Sequence, residues 1–242
     1  MSGFGKHHKA FTLSMLDLAF VSVMDHSVDV VLPCLDEAGA LPGVLDSLPP
    51  GYRAIVVDNG STDGSPEIAA RLGAKMLHES RRGYGAAVHT GLEGATADIV
   101  CFCDADGSLD LAELPKFVEI LLTTDADLVV GRRVPTSGGV WPWHAKAGNL
   151  LLSSLLRRRG LPVRDIAPMR AVRRDALLGL GIIDRAFGYP LELLVKAQRA
   201  GWRVHELDVA YGERAKGTKS KVSGSVRGTL RAIRDMSRVL AK

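Results

Sequence analysis

An α/β protein, a single doubly wound and mostly parallel sheet with helices on both faces, is the fold class that this sequence predicts, and three observations predict it. Short apolar runs recur from Val28 onward, each followed by a segment with helical character. The runs are rich in β-branched residues and apolar at consecutive positions, as strands buried on both faces must be. Turn dipeptides and capping residues separate the two kinds of segment, and alternation at this spacing is met by right-handed βαβ crossovers.

Taken in order, Val28 to Leu32 reads as a first strand ended by Pro33, and Leu41 to Leu48 as a short helix. Ala54 to Asp58 is a second strand that breaks at the turn dipeptide Asn59-Gly60. Ser65-Pro66-Glu67 supplies an N-cap, a proline at the first helical position and an early acid, so a helix starts there. Lys75 to His78 is a third strand, Tyr84 to Ala95 a helix and Ile99 to Cys103 a fourth strand. A helix from Leu111 to Leu122 leads to the strand Leu128 to Gly131. Beyond Arg132 the rhythm loosens into a stretch rich in Pro, Gly and Trp from Pro135 to His144, followed by helical and strand pieces.

The chain has 242 residues, 46% of them hydrophobic and 24% charged, which suits one sizeable globular domain. No apolar run reaches the roughly 20 residues of a membrane span. Leu13 to Val23 comes nearest, but Asp17 interrupts it and no small-residue cleavage site follows. Residues 1–24 are therefore expected to be a disordered N-terminal extension, and 25–242 the folded domain. Cys34, Cys101 and Cys103 are sparse and lack metal-ligand spacing, which predicts buried thiols and a cytoplasmic setting. The net charge of +4 is uneven: Gly212 to Lys242 holds nine Lys or Arg against two acids, leaving about −3 for the rest. Basic character confined to the tail predicts a local anionic partner and no nucleic acid.

In open α/β sheets, ligands bind beyond the carboxyl ends of the strands. Three acidic features fall there: Asp36 and Glu37 after the first strand, Asp58 ending the second, and Asp104-Ala105-Asp106 after the fourth. Two carboxylates one residue apart in a turn can hold a hard cation such as Mg²⁺ or Mn²⁺, which neutralises a departing diphosphate. Elsewhere the plainer reading stands. Asp63 is expected to be a turn acid, Arg81 and Arg82 a solvated loop, and His89 a structural residue on a helix face.

Taken together, Val31-Leu32-Pro33 with Glu37, the stretch Val56 to Gly64, and Asp104-Ala105-Asp106 resemble the family 2 glycosyltransferases. Arg82-Gly83-Tyr84-Gly85 is similar to the glycine-rich helix start those enzymes carry. Gly131-Arg132-Arg133 and Arg214, Gly217, Ser220 and Lys221 resemble the dolichol- and polyprenyl-phosphate sugar synthase branch. The resemblance runs from Val28 to Gly228. It implies a GT-A fold in which residues 28–133 bind the nucleotide and 134–242 form the acceptor half and basic tail. It implies further that Asp58 recognises the base, with Pro33, Glu37 and Gly83 lining the nucleotide pocket. Asp104 meets ribose and metal, Asp106 is the principal metal ligand, and Arg132 or Arg133 approaches the phosphates. Arg214, Ser220 and Lys221 sit on a loop that closes over the diphosphate or the acceptor. Glu192 and Asp165 occupy positions where the family places acids facing the acceptor. The chain departs from the pattern at Asn59, where relatives often carry a second acid, at Ser108, where they carry Gln, and by one extra residue between Gly217 and Ser220.

The implied reaction is inverting transfer of a hexose from a UDP- or GDP-sugar in one in-line displacement. A phosphate monoester acceptor needs no general base, whereas a hydroxyl requires a carboxylate such as Glu192 or Asp165. The tail bears on this choice. Val226, Leu230, Ile233 and Leu240 make an apolar stripe beside Arg227, Arg231, Arg234 and Arg238. Such a helix either lies on the anionic inner face of a membrane, where polyprenyl phosphate is presented, or packs on the domain with its arginines in water. A soluble metabolite is the alternative acceptor. A dehydrogenase is disfavoured because no Gly-x-Gly-x-x-Gly follows a strand. A pyrophosphorylase would want a Gly-rich, Arg-bearing loop after the first strand, where Pro33-Cys34-Leu35-Asp36 stands. A non-catalytic nucleotide-sugar or anionic-surface binder would have no use for an intact Asp104 and Asp106.

Overall fold

The computed structural model describes residues 26–138, 140, 143–215 and 226–240; the side chains of residues 144 and 226–230 lie outside that description, as do residues 1–24, Ser220 and Lys221. Seven strands form one sheet: β1 (Val28–Cys34), β2 (Tyr52–Asp58), β3 (Lys75–His78), β4 (Ile99–Phe102), β5 (Leu128–Pro135), β6 (Arg170–Arg173) and β7 (Val204–Tyr211). Their order is β3-β2-β1-β4-β6-β5-β7, and every pairing is parallel except the two that β6 makes. The helices are α1 (Leu41–Asp46), α2 (Ser65–Arg71), α3 (Tyr84–Gly94), α4 (Leu114–Thr123), α5 (Trp143–Arg158), α6 (Arg174–Gly179), α7 (Tyr189–Arg199) and α8 (Val226–Leu240).

Strand residues alternate between two cores, which is why both faces had to be apolar. Val28, Val30, Leu32, Ala54 and Val56 pack with α1 and α4, whereas Val31, Ile55 and Val57 pack with α3 and α7. Helix α3 comes so close that a Cβ on Gly91 would stand 2.3 Å from Val31 Cγ1. One charge sits inside β1. Asp29 is buried, but Arg53 Nε donates to it at 2.9 Å, and the Thr96 and Ala97 amides donate at 2.7 and 2.9 Å.

Several element ends differ from the sequence reading for physical reasons. β1 runs through Pro33 to Cys34 because Val31 O and Cys34 O accept on opposite sides, from Cys103 N and Asn59 N. The missing Pro33 N–H therefore faces the β4 side, where pairing has already stopped at Phe102. Ser65 does not cap α2 with its side chain; its hydroxyl donates to Asp63 Oδ1 at 2.5 Å, and Gly64 in the left-handed region precedes the helix. Leu111 to Glu113 is a 3₁₀ turn, since Pro115 has no N–H to donate to Leu111 O, and the α-helix starts at Leu114. β5 is longer than expected and pairs with β7 over eight residues, which carries Arg132 and Arg133 into the sheet.

The tail helix α8 packs on α7 through Ala232, Asp235 and Val239, which are buried, while Ile233 is 56% exposed. Of the expected stripe, Leu240 packs against the core and Ile233 does not, while the side chains of Val226 and Leu230 lie outside the described residues. No helix among the described residues is long and apolar enough to cross a membrane.

Candidate active site

Parallel strands deliver their carboxyl ends to one edge, and the acidic residues expected there converge on it. Asp58 closes β2. Its carboxylate accepts the Gly60 and Ser61 amides at 3.1 and 2.8 Å and meets His78 Nδ1 at 3.1 Å. Burial alone would raise its pKa; the bonds from Ser61, Gly60 and His78 hold it below the ordinary carboxylate value instead. Next to it, Asn59 ties three loops together. Its Nδ2 donates to Glu79 O and Arg81 O at 2.8 and 2.9 Å, and its Oδ1 accepts Gly83 N at 2.9 Å. Gly83 has no room for a side chain, since a Cβ would lie 2.2 Å from Arg185 O. Arg82 leans over Gly60, its Cζ 2.9 Å from where a Cβ would be. Pro33 lies in β1 opposite Val57, and Glu37 is buried with its amide on Ser65 Oγ at 2.9 Å.

Asp104 and Asp106 follow β4. Asp106 is 3% exposed; its Oδ1 accepts Ser108 N at 2.9 Å and Ser108 Oγ at 2.5 Å, while Oδ2 pairs with Arg214 Nη1 at 2.6 Å. Arg214 is brought there by the chain leaving β7, where Gly212 N donates to Ser108 O and Ala215 N to Asp106 O. Asp104 is pushed up to about 6, first by burial and then by the neighbouring Asp106 charge, with Arg214, Arg133 and Arg170 pulling the other way. Two carboxylates this close favour a cation between them. Arg214 supplies part of that charge from within the chain.

Asp165 is 0% exposed and grips Arg133: Asp165 Oδ2 accepts Arg133 Nε at 2.8 Å and its amide at 2.9 Å, and Oδ1 accepts Nη2 at 2.7 Å. The Arg133 guanidinium also stacks on Tyr211, 5.4 Å from the ring centre. Removing one partner of such a buried pair typically costs about 3–5 kcal/mol. Arg132, the alternate residue on β5, points elsewhere and forms a forked pair with Asp208. Of the two arginines, the structure brings Arg133 to the carboxylates. Glu192 opens α7 and accepts the amides of Ile183 (3.1 Å) and Asp184 (2.6 Å), with Lys196 at 3.4 Å.

One residue of the site escaped the sequence reading. Arg170 on β6 is buried, and its charge is felt by Asp104, Asp165, Tyr84 and Tyr189. Its guanidinium holds Ile166 O, while Nε has no hydrogen-bond partner among the described residues. The available signal was an arginine inside the apolar run Met169 to Val172.

The residues present suit a divalent cation. No three His, Cys, Asp or Glu side chains converge among the described residues, so Asp104 and Asp106 would share the ion with oxygens of the substrate, as Mg²⁺-type sites usually do. Arg133, Arg170 and Arg214 surround the pair with positive charge suited to a diphosphate.

Comparison with known proteins gives the family and the fold. The family model "Glycosyl transferase family 2" matches residues 29–180. The chain is 57% identical over 216 residues to an uncharacterized glycosyltransferase of Mycobacterium tuberculosis, covering 89% of this chain and 98% of that one. It is 33% identical over 221 residues to an undecaprenyl-phosphate mannosyltransferase of Micrococcus luteus, covering 82% and 88% of the two chains. Among solved structures, glucosyl-3-phosphoglycerate synthase from Mycobacterium tuberculosis, in complex with Mn²⁺, UDP and glucosyl-3-phosphoglycerate, aligns with a TM-score of 0.72 at 24% identity. That alignment covers 97% of this chain and 85% of that one. The architecture is the GT-A fold, and the chain belongs to glycosyltransferase family 2.

Proposed function

We propose that this glycosyltransferase moves a hexose from a UDP- or GDP-sugar to polyprenyl phosphate, with inversion at the anomeric carbon. The observation that carries the reading is the pair Asp104 and Asp106 at the end of β4, ringed by Arg133, Arg170 and Arg214. Asp58 takes the base, which offers N–H donors in uracil and in guanine. Pro33, Glu37 and Gly83 border the nucleoside, and Asp104 receives the ribose. Mg²⁺ or Mn²⁺, held by Asp104 and Asp106, supplies charge neutralisation at the diphosphate. Arg214 leaves Asp106 when the donor arrives and moves to the departing diphosphate, to which Ser220 and Lys221 contribute further donors. Arg133, fixed by Asp165, faces the phosphates from the opposite side.

An acceptor phosphate oxygen attacks the anomeric carbon as the bond from that carbon to the diphosphate oxygen breaks. Such an oxygen is already anionic near neutral pH and gives up no proton. That requirement fits the state of the two candidate bases: Asp165 is engaged by Arg133, and Glu192, which lines a neighbouring cavity, by two amides and Lys196. A lipid acceptor is further supported by helix α5, which begins just past β5 and exposes Trp143 (80%), Leu150 and Leu151 (64%) at helical spacing. Similarity to a mannosyltransferase named for undecaprenyl phosphate points the same way. The protein is then peripheral on the inner face of the membrane.

The test incubates purified protein and Mg²⁺ or Mn²⁺ with labelled UDP- and GDP-sugars, a lipid extract and a soluble metabolite extract, and then partitions the products between solvents. Label in the organic phase, lost in Asp106→Ala, supports the lipid acceptor. Label confined to a new aqueous product overturns it in favour of a soluble acceptor.

A further inference from the structure

A cavity of about 690 Å³ opens between α7, α8 and the loop at residues 183–186. None of Asp104, Asp106, Arg133 or Arg214 lines it, so it is separate from the carboxylate pair. Six cationic side chains face it: Arg81, Arg185, Lys196, Arg199, Arg234 and Arg238. They come from the β3–α3 loop, the 183–186 loop, α7 and α8, so folding has gathered them from four places in the chain. Three acids share the wall, but each is already engaged. Glu192 holds two amides and Lys196, Asp184 Oδ1 accepts Ala186 N at 2.7 Å, and Asp235 Oδ1 accepts Arg234 at 3.1 Å.

The guanidinium groups of Arg81, Arg199 and Arg238 have no hydrogen bond or ion pair among the described residues. The wall thus carries six cations against three acids, and guanidinium is matched in shape to phosphate. Ile183, Val195 and Val239 complete the wall with carbon surface.

We infer that this cavity binds a phosphate ester through its unengaged arginines, Arg81, Arg199 and Arg238. The inference goes beyond the transfer reaction and does not depend on its acceptor. The phosphate ester is either a free metabolite or the headgroup of a lipid. Occupancy bears on the donor side as well, because Arg185 O and Ala186 O accept the Ala86 and Gly85 amides at 2.8 and 3.0 Å, at the turn that carries Gly83.

The test titrates intact, metal-free protein with glycerol 3-phosphate by calorimetry, and measures cosedimentation with phosphatidylglycerol and phosphatidylcholine vesicles. Arg199→Ala/Arg238→Ala should bind at least about tenfold more weakly, two charge-assisted contacts being lost. Its circular dichroism stays that of the wild type, and Asp106→Asn keeps wild-type affinity. Calorimetric binding without vesicle retention assigns a soluble ester. Retention on phosphatidylglycerol alone, lost in the double variant, assigns a headgroup. Wild-type protein that binds neither probe overturns the inference, as does a double variant indistinguishable from wild type or a loss caused by Asp106→Asn.

Discussion

The ends of β2 and β4 each present acid to the same edge of the sheet, yet the chain treats them differently. Asp58 is held from within: two amides and His78 bond to its oxygens, and its pKa falls. Asp104 and Asp106 instead share one buried place, Asp104 raised by burial and by Asp106, with Arg214 paired to Asp106. Under the proposed function, a carboxylate fixed by the fold with an acceptor position to spare is a rigid reader of a neutral base. A pair left incomplete is a place where a ligand must finish the electrostatics.

Substitutions should hurt most at the coupled pair, where burial and a neighbouring like charge make the carboxylates depend on a cation. Asp106→Ala is expected to lower transfer by about a thousandfold or more, the scale of losing a main electrostatic stabiliser, with circular dichroism unchanged. An active, folded variant would remove the metal assignment. Arg214→Ala should reduce turnover by about a hundredfold and move donor affinity much less, since its contact with the diphosphate strengthens as the bond breaks. Steady-state kinetics over donor concentration separates the two quantities.

At the finished end the effects are smaller and of another kind. Asp58→Asn should raise the donor KM by about tenfold with little change in turnover, as loss of one charged hydrogen bond to a base would. It should also change the acid limb of stability. Because the folded pKa of Asp58 is lowered, its contribution is fully present above the unfolded value near ~4 and is lost as pH falls through the folded value. Urea melts should thus separate wild type from Asp58→Asn at pH 7, with the difference starting to shrink only as pH falls below about 4. Glu192→Gln should have the smallest effect, within about threefold in transfer to a phosphate acceptor, because no proton needs removing. A drop of a hundredfold or more would instead make it the base for a hydroxyl.

Much of this arrangement was legible before any coordinates. Apolar runs on a βα rhythm place strand ends at one edge, so acids just beyond Leu32, Val57 and Cys103 had to share it. What stayed hidden depends on pairing between distant segments. Nothing in Met169 to Val172 says that β6 slips antiparallel between β4 and β5, and so nothing brought Arg170 beneath Asp104. Arg132 and Arg133 are adjacent in sequence, and only the pleat of β5 against β7 separates their directions. On α8 the stripe read from side-chain polarity placed Leu240 on the docked face but also included Ile233, which is exposed, and omitted Asp235, which is buried. Tertiary contacts set which side of a short amphipathic helix counts as inside.

The link between Arg214 and Asp106 has a practical side. Because part of the compensating positive charge is covalently built in, chelators should strip the ion without melting the domain, unlike proteins whose folding is driven by metal binding. Scarcity of divalent ions in the cell would then idle the enzyme and spare it from turnover by proteases, so that activity returns with the ion and needs no new synthesis.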